Sequence, residues 1–166
     1  LYATGLYIPG TGGANRFLKS TDFGSTWDTL STPVIPAQSE ILRSELEISK
    51  SDTSIVYILS CGLNEGFNAL FRSNDGGQNW IAVSAKDTSA YPGSAKAPNL
   101  FGWADGGYFN NPFVPADDGG QGTYDITLVI DPLDANRIFT GGVNMWGSED
   151  GGLTWNIVSY WLNYLG

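Results

Sequence analysis

Short apolar runs punctuated by glycine, aspartate and asparagine dominate the chain, and no stretch sustains a helical period. Residues 55–61, Ile55-Val56-Tyr57-Ile58-Leu59-Ser60-Cys61, form one such run. Runs of this length, rich in β-branched and aromatic residues and bounded by turn formers, read as strands. The segment Leu46 to Tyr57 finds a counterpart 82 residues later in Leu128 to Phe139. Each copy reads strand, polar turn, strand, with Asp52-Thr53-Ser54 and Asp134-Ala135-Asn136 as the turns.

A second repeat is sharper. Ser20-Thr21-Asp22-Phe23-Gly24-Ser25-Thr26-Trp27, Ser73-Asn74-Asp75-Gly76-Gly77-Gln78-Asn79-Trp80 and Ser148-Glu149-Asp150-Gly151-Gly152-Leu153-Thr154-Trp155 all follow Ser-x-Asp-x-Gly-x-(Thr/Asn)-Trp. The pattern suits a hairpin turn. Asp22, Asp75 and Asp150 offer carboxylates to backbone N–H groups of their own loop. Gly24, Gly77 and Gly152 permit a positive φ. Trp27, Trp80 and Trp155 open the next strand and are expected to be buried beneath the turn. Three equivalent copies suit a structural staple better than a single active site.

Together the repeats predict four-stranded antiparallel meanders, A to D. The middle unit has strands at about 44–49, 55–61, 68–73 and 79–84. The last has them at about 124–130, 137–142, 143–148 and 154–159. The first shows only B, C and D, at about 1–8, 15–20 and 26–30. A repeated four-stranded meander is a β-propeller blade. The expected fold is therefore all-β, a propeller segment of about three blades. Blade 1, without strand A, covers 1–33; blade 2 covers 44–84; an inter-blade insert covers 85–122; blade 3 covers 123–160; and 161–166 begin the next link. Propellers have roughly four to eight blades, so the remaining blades are expected from the same protein or another chain. The chain opens on Leu1 rather than Met, as an excised or processed piece would.

The meander sorts its loops onto two faces. A–B and C–D turns share one; B–C loops and D–A links share the other. On the second face lies the long insert, carrying Tyr91, Trp103, Tyr108 and Phe109 among Asp105, Asn110, Asn111, Asp117 and Asp118. Loops beyond about 15 residues are uncommon and often functional. Aromatic faces with carboxylate and amide neighbours suit sugar rings. Trp103 and Tyr108 are the candidate platforms, with Asp105 and Glu65 as polar partners; the alternative is that the aromatics only plug the insert onto the blades. Glu65, Asp105, Asp117, Asp118 and Asp125 also supply carboxylates of the kind glycoside hydrolysis uses in pairs.

Composition narrows the chemistry. Hydrophobic residues make up 42% and charged residues 15%, as in a globular domain. A formal charge of −9 disfavours nucleic acid and anionic lipid. No apolar run approaches the roughly 20 residues of a membrane-spanning helix. The absence of histidine removes Ser-His-Asp triads and histidine metal sites. Cys61, the single cysteine, forms no internal disulfide and reads as a core residue. No cofactor or metal is expected. The acidic, glycine-rich stretch from Asp117 through Asp118 to Asp125 carries oxygen ligands of the type calcium takes, but without EF-hand spacing, and reads first as a tight turn.

The three eight-residue repeats resemble the Asp box (BNR repeat) of sialidases, sortilin-type receptors and xyloglucanase-like hydrolases. Pro98-Asn99-Leu100-Phe101-Gly102, Gly119-Gly120-Gln121-Gly122-Thr123-Tyr124-Asp125 and Gly141-Gly142-Val143-Asn144-Met145-Trp146 look like large secreted Asp-box propellers of Bacteroidetes-type bacteria. Those proteins typically carry a sorting domain for type IX secretion. The resemblance implies an extracellular or cell-surface setting and a non-catalytic module that binds a glycan or a protein. It leaves two alternatives: a xyloglucanase-like glycoside hydrolase, or a structural surface or filament component. Sialidases have an arginine triad and an Arg-Ile-Pro-type motif; Tyr7-Ile8-Pro9 lacks the arginine, and Arg16, Arg43, Arg72 and Arg137 form no apparent triad. One cysteine argues against a disulfide-bearing sortilin-like receptor.

Overall fold

The computed structural model describes residues 1–5, 17–30, 34–35, 40–102 and 119–160. These build three sheets, antiparallel throughout except at one edge of the second. The first contains β1 (Tyr2–Ala3), β2 (Leu18–Lys19) and β3 (Asp28–Thr29), in that order. The second contains β4 (Ile41–Ile48), β5 (Val56–Gly62), β6 (Phe67–Ser73), β7 (Ile81–Ala85) and β8 (Ala95–Lys96). The third runs β9 (Thr127–Ile130), β10 (Ile138–Gly141), β11 (Met145–Ser148) and β12 (Asn156–Ser159), each strand pairing with the next. A single helical turn, α1 (Gly122–Asp125), precedes β9.

The meander is the predicted one, and the first sheet lacks a fourth strand among the described residues. Two features depart from expectation. Strand β8, inside the stretch read as an insert, pairs in parallel with β7 and widens the second sheet. Residues 124 and 125, read as strand, belong to α1, and the strand begins at Thr127.

Strand β5 explains how the sheets stack. Its side chains alternate between two faces, and residues 56–61 are all buried. Val56 and Ile58 join Ile41, Phe71, Trp80 and Phe17 in a core between the first and second sheets. Tyr57, Leu59 and Cys61 join Leu70, Leu128, Ile138 and Trp146 in a core between the second and third. A strand buried on both faces reads as an unbroken apolar run. By contrast β9, with one open face, alternates exposed and buried.

The repeated turns have one hydrogen-bond plan. In each, the serine hydroxyl donates to the aspartate and accepts from the N–H of the glycine four residues on, both at 2.8 Å. The aspartate accepts the N–H of Thr26, Asn79 or Thr154 at 2.9 Å. Its second oxygen accepts from the same residue's side chain at 2.6–2.7 Å. The turn serine and the Thr or Asn are therefore as much part of the staple as the aspartate.

The second and third turns then seat on the sheet before them. Gly76 N–H donates to Ser54 O and Gly151 N–H to Asn136 O, both at 2.8 Å, so the A–B and C–D turns share a face as expected. From the first sheet, Tyr2 Oη donates to Gly76 O at 2.6 Å, and Lys19 Nζ donates to the same carbonyl. From the second, Tyr57 Oη donates to Ala135 O at 3.0 Å and Arg72 Nη1 to Asn136 Oδ1 at 2.9 Å. Lys19 lies over the Tyr2 ring at 5.7 Å and Arg72 over Tyr57 at 5.4 Å. A cation stacked on an aromatic ring, reaching the next sheet's turns, is thus repeated at both seams.

The expectation that all three tryptophans are buried holds for one. Trp80 is 5% exposed, with its Nε1 donating to Gly77 O. Trp155 is half-buried, its indole N–H on Ser84 Oγ of the second sheet at 3.2 Å. Trp27 is 41% exposed. Burial of this residue depends on the preceding sheet, and none lies against the first turn among the described residues.

Hydrogen bonds from Asn79 and Thr26 hold the Asp75 and Asp22 carboxyls down to about 2. A carboxyl depressed in the folded state stabilises it above the ordinary carboxyl pKa, and that contribution disappears as pH falls through the folded value. Replacement of Asp75 by Asn is expected to lower the thermal midpoint at pH 7. The gap from wild type should narrow as pH is taken from about 4 toward about 2, followed by circular dichroism melts.

Candidate ligand-binding face

Opposite the repeated turns, the segment returning from the insert threads past the β5–β6 loop. That loop is tight: Glu65 N–H donates to Gly62 O and Gly62 N–H to Gly66 O, both at 2.9 Å, with Glu65 at φ 64°. Glu65 O then accepts Gly122 N–H at 2.8 Å, and its carboxylate accepts the Thr123 hydroxyl. D–A link and B–C loop thus meet on one face, as the meander predicts.

Glycines make this passage feasible. A Cβ on Gly120 would lie 2.5 Å from Phe101 O, and one on Gly122 would lie 2.6 Å from Cys61 Cβ. Only residues without a side chain fit so close to backbone and core. Asn99, 2% exposed, ties the same region together. Its Oδ1 accepts Phe67 N–H at 2.7 Å, and its Nδ2 donates to Gly119 O at 2.6 Å. Phe101 is buried edge-on to Phe67 at 5.8 Å. The Asn-Leu-x-Gly and Gly-Gly-Gln-Gly stretches are therefore two halves of one lock.

Arg43, from β4, closes the other side. Its Nη1 donates to Thr123 O at 2.8 Å and Tyr124 O at 3.3 Å, while Nη2 donates to Glu45 at 2.7 Å. This guanidinium satisfies carbonyls at the end of α1 and leaves Tyr124 standing on the surface, 87% exposed. A large aromatic on a fixed backbone, its carbonyl held by Arg43, with Asp125 beside it in sequence, has the parts of a sugar-stacking platform.

Of the predicted site residues, Glu65 lies on this face, engaged with Thr123. Trp103, Asp105 and Tyr108 lie outside the described residues, as do Asp117 and Asp118 of the acidic stretch. Asp125, the third member of that stretch, ends α1. Tyr91 is a packing residue: it is buried, bonded to Asn68 at 2.9 Å and edge-on to Phe71 at 5.5 Å. Cys61 is buried, and burial pushes its thiol up to about 11, which makes it a poor nucleophile. Tyr124 and Arg43 were not singled out. Tyr124 had been placed in a strand, and Arg43 precedes the run that marked β4; both gain their roles only through the helical turn.

No family model matches the chain, and no curated protein matches it. Among solved structures, the chain is similar to the GH74 xyloglucanase from Xanthomonas campestris, at 19% identity over 89% of this chain with a TM-score of 0.52. It is also similar to the Niastella koreensis GH74 enzyme, at 18% identity over 93% of this chain with a TM-score of 0.54. These similarities support a propeller-like fold. The chain spans about one fifth of each neighbour's length, 20% and 21%.

The lock predicts its own failure. Replacing Asn99 by Leu leaves Phe67 N–H unpaired in a buried place and Gly119 C=O unpaired in a partly buried one. The expected cost is about 2–3 kcal/mol, measured by denaturant unfolding, with amide exchange at residues 119–125 accelerated more than in β10.

Proposed function

We propose that this chain is part of a secreted Asp-box propeller whose loop-bearing face binds a carbohydrate without cleaving it. The exposed Tyr124, set on α1 with its carbonyl bonded by the Glu45-paired Arg43, carries the proposal. An aromatic face stacks on the C–H face of a pyranose, while carboxylates and the guanidinium take hydroxyl hydrogen bonds. Trp103 and Tyr108, with Asp105, are further candidate sugar contacts on the sequence of the insert, and Glu65 supports Tyr124's segment by accepting the Thr123 hydroxyl. The extracellular setting, and export by the type IX route, rest on the resemblance of the repeats and of the Gly-Gly-Gln-Gly-Thr-Tyr-Asp stretch.

Binding is favoured over hydrolysis for a chemical reason. Cleavage requires two carboxyl groups, roughly 5–10 Å apart across the substrate, free to exchange protons. Among the described residues of this face, Glu65 is engaged by Thr123 and Glu45 by Arg43, which leaves Asp125 without a described partner carboxyl across the Tyr124 platform. The names of the two GH74 neighbours describe those enzymes; at their identities they bear on fold alone.

A glycan array probed with the chain in its full-length protein, alongside Tyr124→Ala and Trp103→Ala variants, tests the proposal. Each variant should weaken binding by about 1–3 kcal/mol and leave the melting temperature near wild type. No bound glycan in any form contradicts the carbohydrate reading and favours a protein ligand. Release of reducing sugar from a bound glycan contradicts the non-catalytic part.

A further inference from the structure

The β5–β6 loop holds one residue in a backbone conformation that its side chain disfavours. The turn over residues 62–65 is closed by Glu65 N–H on Gly62 O, and Glu65 itself stands at φ 64°. Three-residue hairpin loops of this kind usually place glycine at the left-handed position. Elsewhere among the described residues, a positive φ falls on glycine at every position but Phe23. A side chain in this region crowds its own backbone, and strain of that sort collects at functional sites. The structural bonds of the position are made by its backbone: N–H to Gly62 O, and C=O to Gly122 N–H. Glycine would supply both, so glutamate stands here for its side chain.

One oxygen of that side chain, Oε2, accepts the hydroxyl of Thr123, the neighbour of exposed Tyr124. The other, Oε1, has no hydrogen-bond partner among the described residues, and Glu65 is only half-buried. A carboxylate tied by one oxygen is fixed in direction and keeps acceptor capacity on the second. The charge around it has one sign. Arg43, the cation beside α1, is bonded to Thr123 O, Tyr124 O and Glu45. Lys86 and Lys96 belong to the opposite edge of the second sheet from β4. From residue 97 to residue 136 the sequence has no Lys or Arg, while Asp105, Asp117 and Asp118 lie in the insert and Asp125 ends α1. A sugar carboxylate or sulfate brought to this face meets like charge with no cation to pair it, and that opposes binding.

We propose, resting on the carbohydrate reading above, that Glu65 is a ligand contact that sets specificity. Its Oε1 accepts a hydroxyl of an uncharged sugar resting against Tyr124, and its charge turns away glycans that carry carboxylate or sulfate groups. The left-handed backbone at Glu65 is the structural cost of placing a carboxylate where the hairpin would take glycine.

An array of uncharged oligosaccharides beside uronate-bearing and sulfated counterparts tests this. It is probed with the full-length protein and its Glu65→Gly and Glu65→Gln variants, with a melting curve for each. Wild type should bind uncharged members about tenfold or more tighter than their acidic counterparts. Glu65→Gly relieves the backbone and keeps both backbone bonds, so it should melt no lower than wild type. It should also lose about tenfold or more in affinity for uncharged glycans, the scale of one charge-assisted hydrogen bond. Glu65→Gln keeps the shape without the charge and should narrow the gap between uncharged and acidic glycans. Acidic counterparts bound by wild type as tightly as uncharged ones, unchanged affinity in Glu65→Gly, or an unchanged gap in Glu65→Gln overturns the proposal while the carbohydrate reading stands. A lower melting temperature in Glu65→Gly also overturns it, since the side chain then serves the fold through Thr123. No glycan bound by any form removes the carbohydrate reading, and this proposal with it.

Discussion

The seating of the second and third turns on the preceding sheet is the contact on which the rest depends. A four-stranded sheet with two apolar faces does not stand alone in water; it needs a neighbour on each side. Here the neighbours are fixed in register by polar contacts at one edge. The turn backbone bonds its own A–B turn, and a stacked aromatic and cation reach across from the sheet before. Apolar packing along β5 supplies the bulk of the burial, while these contacts select one arrangement of the sheets.

That division of labour has a consequence for chemistry. The repeated aspartates spend both carboxylate oxygens on their own turns. What remains for recognition is the opposite face, where irregular segments meet. There the chain uses glycine to thread close to the core, Asn99 to bridge two loops, and Arg43 to fix α1. Among the described residues of that face, Tyr124 stands exposed on a well-tied support, and rigid support of this kind lowers the ordering cost of binding.

Much of the fold is legible in the sequence because it is repeated. Ser148 to Trp155 could be read against Ser73 to Trp80, and Leu128 to Phe139 against Leu46 to Tyr57, so local signals reinforced one another. The misreadings share a different origin. Strand β8 is two residues, Ala95–Lys96, with no periodicity to announce it. Trp27 has the same local sequence as Trp80, yet its burial is set by a neighbouring sheet. Tyr124 reads as strand in sequence because β9 follows at once, and its backbone is held by Arg43, 81 residues away. Non-repeated, long-range contacts define the candidate site, and a single sequence carries little trace of them.

Amide hydrogen exchange on a dilute sample of the folded chain is the most direct measurement of whether the turns hold the sheets together. The N–H groups of Gly77 and Gly152, bonded to Ser73 and Ser148, should exchange as slowly as those of β5, since freeing them requires the seams to open. Gly24 has the same bond to Ser20 but no sheet in front of it among the described residues, and should exchange faster in this chain. If Gly77 and Gly152 exchange as fast as Gly24 while β5 stays protected, the turns are ornaments on sheets held together by other means.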